Sequence, residues 1–83
     1  MYKLIISKKA KSFFKKLDKP VKERIFKKLV VLEKNPEIGI PLTGNLTGFW
    51  KLRIGDYRAI YEIKNEKLLI YVLRLGHRKN IYD

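Results

Sequence analysis

The second half of the chain alternates apolar and polar residues in three segments that are separated by short turns. Residues 50–54 and 57–63 place every second side chain on one side, and residues 68–75 form an almost continuous aliphatic and aromatic run. A period of two is typical of β-strands, and a continuous apolar strand is typical of the centre of a sheet. The sequence therefore predicts a three-stranded antiparallel meander with a first turn at Gly55-Asp56.

The first half of the chain predicts one short strand and two helices. Residues 2–7 are rich in Ile and Leu, and Ser7 can cap the helix that follows. Asp18-Lys19-Pro20 separates the helices, and Asn35-Pro36 ends the second one. Apolar residues recur at helical spacing between these breaks. The two stripes are Ala10, Phe13, Phe14 and Leu17 in the first helix, and Val21, Ile25, Phe26, Leu29 and Leu32 in the second.

The predicted element order is β-α-α-β-β-β, which is an α+β arrangement. Two helices joined by a short break form a hairpin, and we expect it to pack on one face of a mainly antiparallel twisted sheet. Residues 36–49 contain two Pro and three Gly, so they are predicted to be loop. With 83 residues in all, the chain is too short for two independent cores, so residues 1–83 are predicted to form a single domain.

Several classes of protein and site are excluded or disfavoured by composition. The chain has no Cys, which excludes disulfides and thiolate metal sites and favours a reducing compartment. No segment approaches the roughly 20 apolar residues that span a bilayer, so we expect a cytoplasmic protein with no membrane association. The sequence also lacks a Gly-rich phosphate loop, paired histidines and a carboxylate cluster. We therefore predict no metal and no cofactor.

The charge balance predicts a polyanionic partner. Lys and Arg together number 20 against 8 Asp and Glu, for a formal net charge of +12. Such a field favours nucleic acid or ribonucleoprotein, although an acidic protein or an anionic membrane surface would also satisfy it. Residues 1–48 hold eleven Lys and a single Arg, whereas residues 49–83 hold four of each. The arginines therefore concentrate in the predicted strands. Their planar guanidinium groups can donate paired hydrogen bonds to phosphate oxygens.

The strand period predicts where these cations lie. Trp50, Leu52 and Ile54 should pack under the helices, which places Lys51 and Arg53 on the opposite, open face. Arg58 joins them if Tyr57, Ala59 and Tyr61 are core residues. Arg74 is undetermined, because both faces of its strand are apolar. His77 and Arg78 are predicted just past the end of that strand, and Tyr82 follows four residues later.

This set of side chains is suited to phosphodiester chemistry on RNA. RNA carries its own nucleophile, so a metal-independent ribonuclease needs groups that move protons and groups that stabilise phosphoryl charge. Arg58 and Arg78 could clamp the phosphate, Lys51 or Arg53 could offset developing charge, and His77 or Tyr82 could transfer protons.

The same residues also permit simpler interpretations. Lys51 and Arg53 could form a solvated strand face, His77 could be structural, and Tyr82 could anchor the carboxy terminus. In that case the protein would be a plain basic module that binds nucleic acid without cleaving it, and its binding would weaken steeply with salt.

Two segments resemble a known family. Residues 49–63, Phe-Trp-Lys-Leu-Arg-Ile-Gly-Asp-Tyr-Arg-Ala-Ile-Tyr-Glu-Ile, and residues 75–82, Leu-Gly-His-Arg-Lys-Asn-Ile-Tyr, are similar to the RelE/ParE superfamily of type II toxins, and to its RelE branch in particular. RelE-type toxins cleave mRNA in the ribosomal A site. The resemblance implies catalytic roles for six residues: Lys51, Arg53, Arg58, His77, Arg78 and Tyr82. It also implies a cognate acidic, RelB-like antitoxin, a heteromeric toxin-antitoxin complex, and the ribosome and mRNA as partners.

Two questions remain open at this level. Arg53 stands where the best-known enzyme has Lys, and an arginine stays charged at neutral pH, so it can stabilise charge but hardly act as a base. The general base is therefore undecided between Lys51, Tyr82 and His77. The alternative activity is that of a ParE-like toxin, which acts on DNA gyrase by protein contact without phosphodiester chemistry.

Overall fold

The computed structural model describes residues 1–77 and contains two α-helices and a five-stranded sheet. The elements are β1 (Lys3–Ile6), α1 (Lys8–Lys15), α2 (Lys19–Val31), β2 (Ile40–Pro41), β3 (Phe49–Ile54), β4 (Tyr57–Lys64) and β5 (Leu69–His77). The strand order is β1-β5-β4-β3-β2. β1 runs parallel to β5, and the other neighbouring pairs are antiparallel. The predicted α+β fold with a mainly antiparallel sheet is confirmed.

The helices begin where the sequence predicts. Ser7 Oγ accepts a hydrogen bond from the Ala10 N–H at 3.1 Å and donates one to the Leu73 carbonyl at 2.7 Å. The cap therefore also ties the start of α1 to β5, which lies between β1 and β4 in the sheet. Asp18 occupies the N-cap position of α2 without a capping hydrogen bond from its side chain, and Pro20 lies in the first turn, where a missing N–H costs nothing.

The core lies between the helices and one face of the sheet. Its buried side chains are Ala10, Ile25, Leu29, Leu32, Leu52, Ile54, Ala59, Tyr61, Ile70, Val72 and Leu75. Phe26, predicted to belong to the apolar stripe of α2, is instead 52% exposed. The stripe of a surface helix covers only part of its circumference, and Ile25 and Leu29 already fill the side of α2 that meets the sheet.

The predicted loop over residues 36–49 contains one additional strand. Ile40 and Pro41 pair with Lys51 and Trp50 and form the edge of the sheet beside β3. Sequence alone favoured a loop because Pro and Gly are frequent here, yet Pro is tolerated on an edge strand whose N–H position faces away from the sheet. This short strand covers only the first half of β3.

Candidate active site

Arg53 and Arg58 face each other directly across the antiparallel pair of β3 and β4. The neighbouring pairs Leu52–Ala59 and Ile54–Tyr57 point to the helices, and Leu52, Ile54 and Ala59 are buried in the core. Because successive side chains alternate between the faces of a strand, the two arginines lie on the helix-free face. The predicted open-face position of both residues is confirmed.

A second cross-strand row on the same face contains Lys51, Ile60 and Arg74. Lys51 pairs with Ile60, and Ile60 pairs with Arg74 of β5. The register of β4 and β5 shifts by one residue between Ile60 and Tyr61, so that Leu73 is the extra residue of β5. This irregularity reverses the alternation along β5 and brings Arg74 to the face that holds Arg53 and Arg58.

An open pocket of about 420 Å³ adjoins the arginine pair. Its lining residues, called the basic pocket below, are Lys28, Ile38, Gly39, Ile40, Lys51, Leu52, Arg53 and Arg58. Lys28 belongs to α2, and residues 38–40 lead into the short edge strand β2. The sequence predicted neither contribution, because Lys28 is one of eleven lysines in residues 1–48 and residues 38–40 were predicted to be loop. No local pattern marks either one.

The basic pocket carries four cations and no carboxylate. The ion pair of Lys64 with Glu62 lies elsewhere in β4, and residues 1–77 form no ion pair with Lys28 or with either pocket arginine. Like charges directly opposite on paired strands are destabilising. An anion bound between them would remove that repulsion, and guanidinium groups match phosphate oxygens in shape and charge.

Tyr61 fixes the side of the pocket formed by residues 38–40. Its buried hydroxyl donates a hydrogen bond to the Pro36 carbonyl at 2.6 Å and accepts one from the Gly39 N–H at 3.2 Å. Burial raises the pKa of this hydroxyl above its ordinary value; the Gly39 hydrogen bond lowers the pKa and the charge of Glu37 raises it further. Tyr61 therefore stays protonated and keeps both hydrogen bonds at neutral pH.

Gly39 is required by close approach rather than by backbone conformation. Its φ of −80° is accessible to any residue. A Cβ at this position, however, would lie 2.5 Å from the Lys51 carbonyl oxygen and 2.6 Å from the Tyr61 hydroxyl oxygen. Residues 38–40 can lie against β3 only because residue 39 has no side chain.

His77 occupies a different side of the sheet from the arginine pair. β5 extends two residues beyond its predicted end, so His77 is the last residue of the strand, and the prediction that it lies past the strand was wrong. It pairs with Tyr57, and the two rings meet edge to face at a centroid distance of 5.6 Å. Tyr57 in turn contacts Phe13 of α1, which places His77 on the helix-covered face.

Two predicted site residues, Arg78 and Tyr82, lie outside the described residues. Within residues 1–77, no group of three or more His, Cys, Asp or Glu side chains could hold a metal ion. None of the helices in this part of the chain is long and apolar enough to cross a membrane.

Comparison with known proteins identifies the family. Residues 4–82 match the sequence model of the ParE toxin of the type II toxin-antitoxin system parDE. The chain belongs to the RelE/ParE superfamily of type II toxins. The mRNA interferase toxin RelE of Escherichia coli K12 is 30% identical over 80 residues, which cover 94% of this chain and 84% of RelE. The resemblance seen in the sequence is thus confirmed.

Further members of the superfamily support the assignment. Toxin RelG of Mycobacterium tuberculosis is 40% identical over 45 residues, and the match spans about half of each protein, 54% of this chain and 52% of RelG. The crystal structure of the toxin-antitoxin complex RelBE2 from the same species contains a chain that superimposes with a TM-score of 0.86. That chain is 28% identical, and the match covers 93% of this protein and 98% of the RelBE2 chain. The fold is therefore that of a RelE-type toxin.

Proposed function

We propose that this toxin is a metal-independent endoribonuclease that cleaves mRNA in the A site of the ribosome. The observation that carries the proposal is the Arg53–Arg58 pair, two directly opposed cations that no described carboxylate neutralises. The repulsion between the two arginines does not stabilise the fold. Their two positive charges would, however, stabilise a phosphoryl group that gains negative charge in a transition state. The similarity to the mRNA interferase RelE supports the same activity.

The proposed reaction is an internal transesterification. The ribose 2′-oxygen forms a bond to phosphorus as a base removes its proton, and the bond from phosphorus to the 5′-oxygen breaks as that oxygen takes up a proton. The products are a 2′,3′-cyclic phosphate and a 5′-hydroxyl. Arg53 and Arg58 stabilise the extra charge on the phosphoryl oxygens, and we propose Arg78 as a further phosphate ligand.

Two of the candidates for proton transfer, Lys51 and His77, lie on opposite faces of the sheet. Lys51 lies on the same face as the arginine pair, one cross-strand row away, and lines the basic pocket. His77 lies on the helix-covered face against Tyr57. We therefore propose Lys51 as the group that assists the 2′-oxygen, Tyr82 as the partner in proton transfer, and a positioning role for His77 at the end of β5.

The proposed partner in the cell is an acidic antitoxin. The RelBE2 structure is that of a toxin-antitoxin complex, and this chain carries a net charge of +12. A negatively charged antitoxin segment would be attracted to the surface around the basic pocket and would block RNA there. We expect the toxin and antitoxin to form a heteromeric complex.

Mapping the ends of mRNA from programmed ribosomes tests the proposed function. Wild-type protein should produce 5′-hydroxyl ends in the A site without added metal, and the double variant Arg53→Ala/Arg58→Ala should not. Arg24→Ala is the matched control, because Arg24 is an exposed arginine of α2 outside the basic pocket. Intact transcripts with wild-type protein would reject the proposal.

One finding favours a second candidate activity. The matching family model is that of the ParE toxin, which leaves the expectation of a gyrase-directed toxin in place. Supercoiling by purified gyrase in the presence of this protein separates the two activities. Inhibited supercoiling together with intact mRNA would support the ParE-like activity.

A further inference from the structure

Lys28 reaches the basic pocket from an element that does not belong to the sheet. Arg58 lies on β4, Arg53 and Lys51 lie on β3, and Lys28 lies on α2, yet all four cations line one pocket. Neighbouring strands are separated by roughly 4.8 Å, so the cations extend across two strands and past the open edge of β3. Their four positive charges exceed the single negative charge of one phosphodiester. The arrangement suits an extended anion.

The size and lining of the pocket indicate which chemical groups the ligand has besides its negative charges. A volume of about 420 Å³ lies within the range of roughly 300 to 1,000 Å³ that is typical of small-molecule sites. Ile38 and Ile40 supply apolar surface beside the cations, and Ile40 is an aliphatic residue that is 60% exposed. Exposed apolar surface beside cations that form no ion pair within residues 1–77 suits a ligand with both a flat or aliphatic body and phosphate groups.

Residues 36–40, which carry this apolar surface, are held in place by contacts with β3 and β4. The two hydrogen bonds of the Tyr61 hydroxyl join Pro36 and Gly39 to β4, and Ile40 pairs with Lys51 of β3. The apolar side of the pocket is therefore attached to the same two strands that carry the arginines. Such attachment keeps the distance between the apolar surface and the cations constant, as a binding site requires.

We propose that the basic pocket binds the nucleotide next to the scissile bond. Lys28 contacts the phosphate at the other end of that nucleotide, away from the scissile bond. The ribose or base packs against Ile38 and Ile40, while Arg53 and Arg58 hold the scissile phosphate. This inference rests on the proposed function, since it takes RNA as the ligand. Lys28 is thereby a binding residue that recognises the phosphate backbone, without a part in the chemical step.

A titration with short 2′-O-methyl RNA, followed by amide chemical shifts of this 9.9 kDa protein, tests the inference. The ligands are a dinucleotide with one internal phosphate and the same dinucleotide with an added 5′- or 3′-phosphate. For wild type, one of the two added phosphates should tighten binding roughly two- to fivefold, the range expected for an exposed ion pair. The amides of Gly39 and Leu52 should shift with it.

Lys28→Ala should lose the gain from the added phosphate, and Lys27→Ala should keep it. Lys27 is the matched control, because it is an exposed lysine of the same helix outside the pocket and its removal changes the net charge equally. A gain that persists in Lys28→Ala, or shifts that bypass Gly39 and Leu52, would overturn the inference. The 2′-O-methyl ligand cannot be cleaved, so this result is independent of whether wild-type protein cleaves mRNA on ribosomes.

Discussion

Arg53 of β3 lies directly opposite Arg58 of β4 on the face of the sheet that the helices leave open. No carboxylate of residues 1–77 forms an ion pair with either arginine. Charge pairs of this kind are expected where binding or catalysis, rather than folding, has determined the residues. The four predictions below test this interpretation and the structural support around it.

Removing either arginine should separate activity from stability. We expect Arg58→Ala to lower the rate of mRNA cleavage about 10²- to 10³-fold, as for loss of one group that stabilises transition-state charge. The free energy of unfolding should stay constant or rise by up to about 1 kcal/mol, because the opposed like charges are relieved. Urea unfolding and single-turnover cleavage measure the two effects, with Arg24→Ala as the control. A loss of stability above 1 kcal/mol would show that Arg58 is a structural residue.

Tyr61→Phe should destabilise the protein and loosen the pocket. The change removes the acceptor of the Gly39 N–H and the donor to the Pro36 carbonyl. Buried polar groups without partners cost about 1 to 3 kcal/mol, so the free energy of unfolding should fall by that amount. Tyr71→Phe serves as the control, since it removes a hydroxyl from a half-buried tyrosine of the same sheet. Equal stabilities of the two variants in urea unfolding would contradict this prediction.

Stability should decrease at alkaline pH in a way that depends on Tyr61. Its pKa is raised above the ordinary 10.0 in the folded protein, mainly by burial. Above about pH 10 the unfolded chain loses a proton that the folded protein still holds, so the free energy of unfolding falls as the pH rises. Below pH 10 both states hold the proton and this residue adds no pH dependence. Unfolding of wild type and Tyr61→Phe between pH 8 and about 11 should show a shallower decline for the variant.

His77→Gln should leave the pH dependence of cleavage unchanged. The His77 ring packs against Tyr57 on the helix-covered face, whereas the arginine pair lies on the other side of the sheet. We expect a loss of stability of about 1 kcal/mol from the lost ring contact, since aromatic pairs contribute about 0.5 to 1.5 kcal/mol. Rates of cleavage between pH 5.5 and 8 measure the effect. Disappearance of one limb of the pH profile in the variant would instead assign proton transfer to His77.

Much of the fold could be predicted because the relevant signals are local. The cap at Ser7 and the turn at Gly55-Asp56 each depend on a few neighbouring residues, and both were confirmed. A break between the helices is also present, but it lies at residues 16–18, and Lys19 and Pro20 belong to the first turn of α2. The edge strand β2 was missed, because two residues beside a proline become a strand only when β3 offers an edge. The exposure of Phe26 was likewise decided by which side of α2 meets the sheet.

The sequence by itself determined that Lys51, Arg53 and Arg58 share the open face, because the direction of side chains along a regular strand is a local property of the pleat. Only the tertiary structure decided the positions of Arg74, His77 and Lys28. The face on which Arg74 lies depends on the irregular register between β4 and β5. The position of His77 depends on how far the pairing of these two strands extends. Lys28 joins the pocket because α2 packs against β3. These relationships connect residues far apart in the chain, so no periodicity within one segment can reveal them.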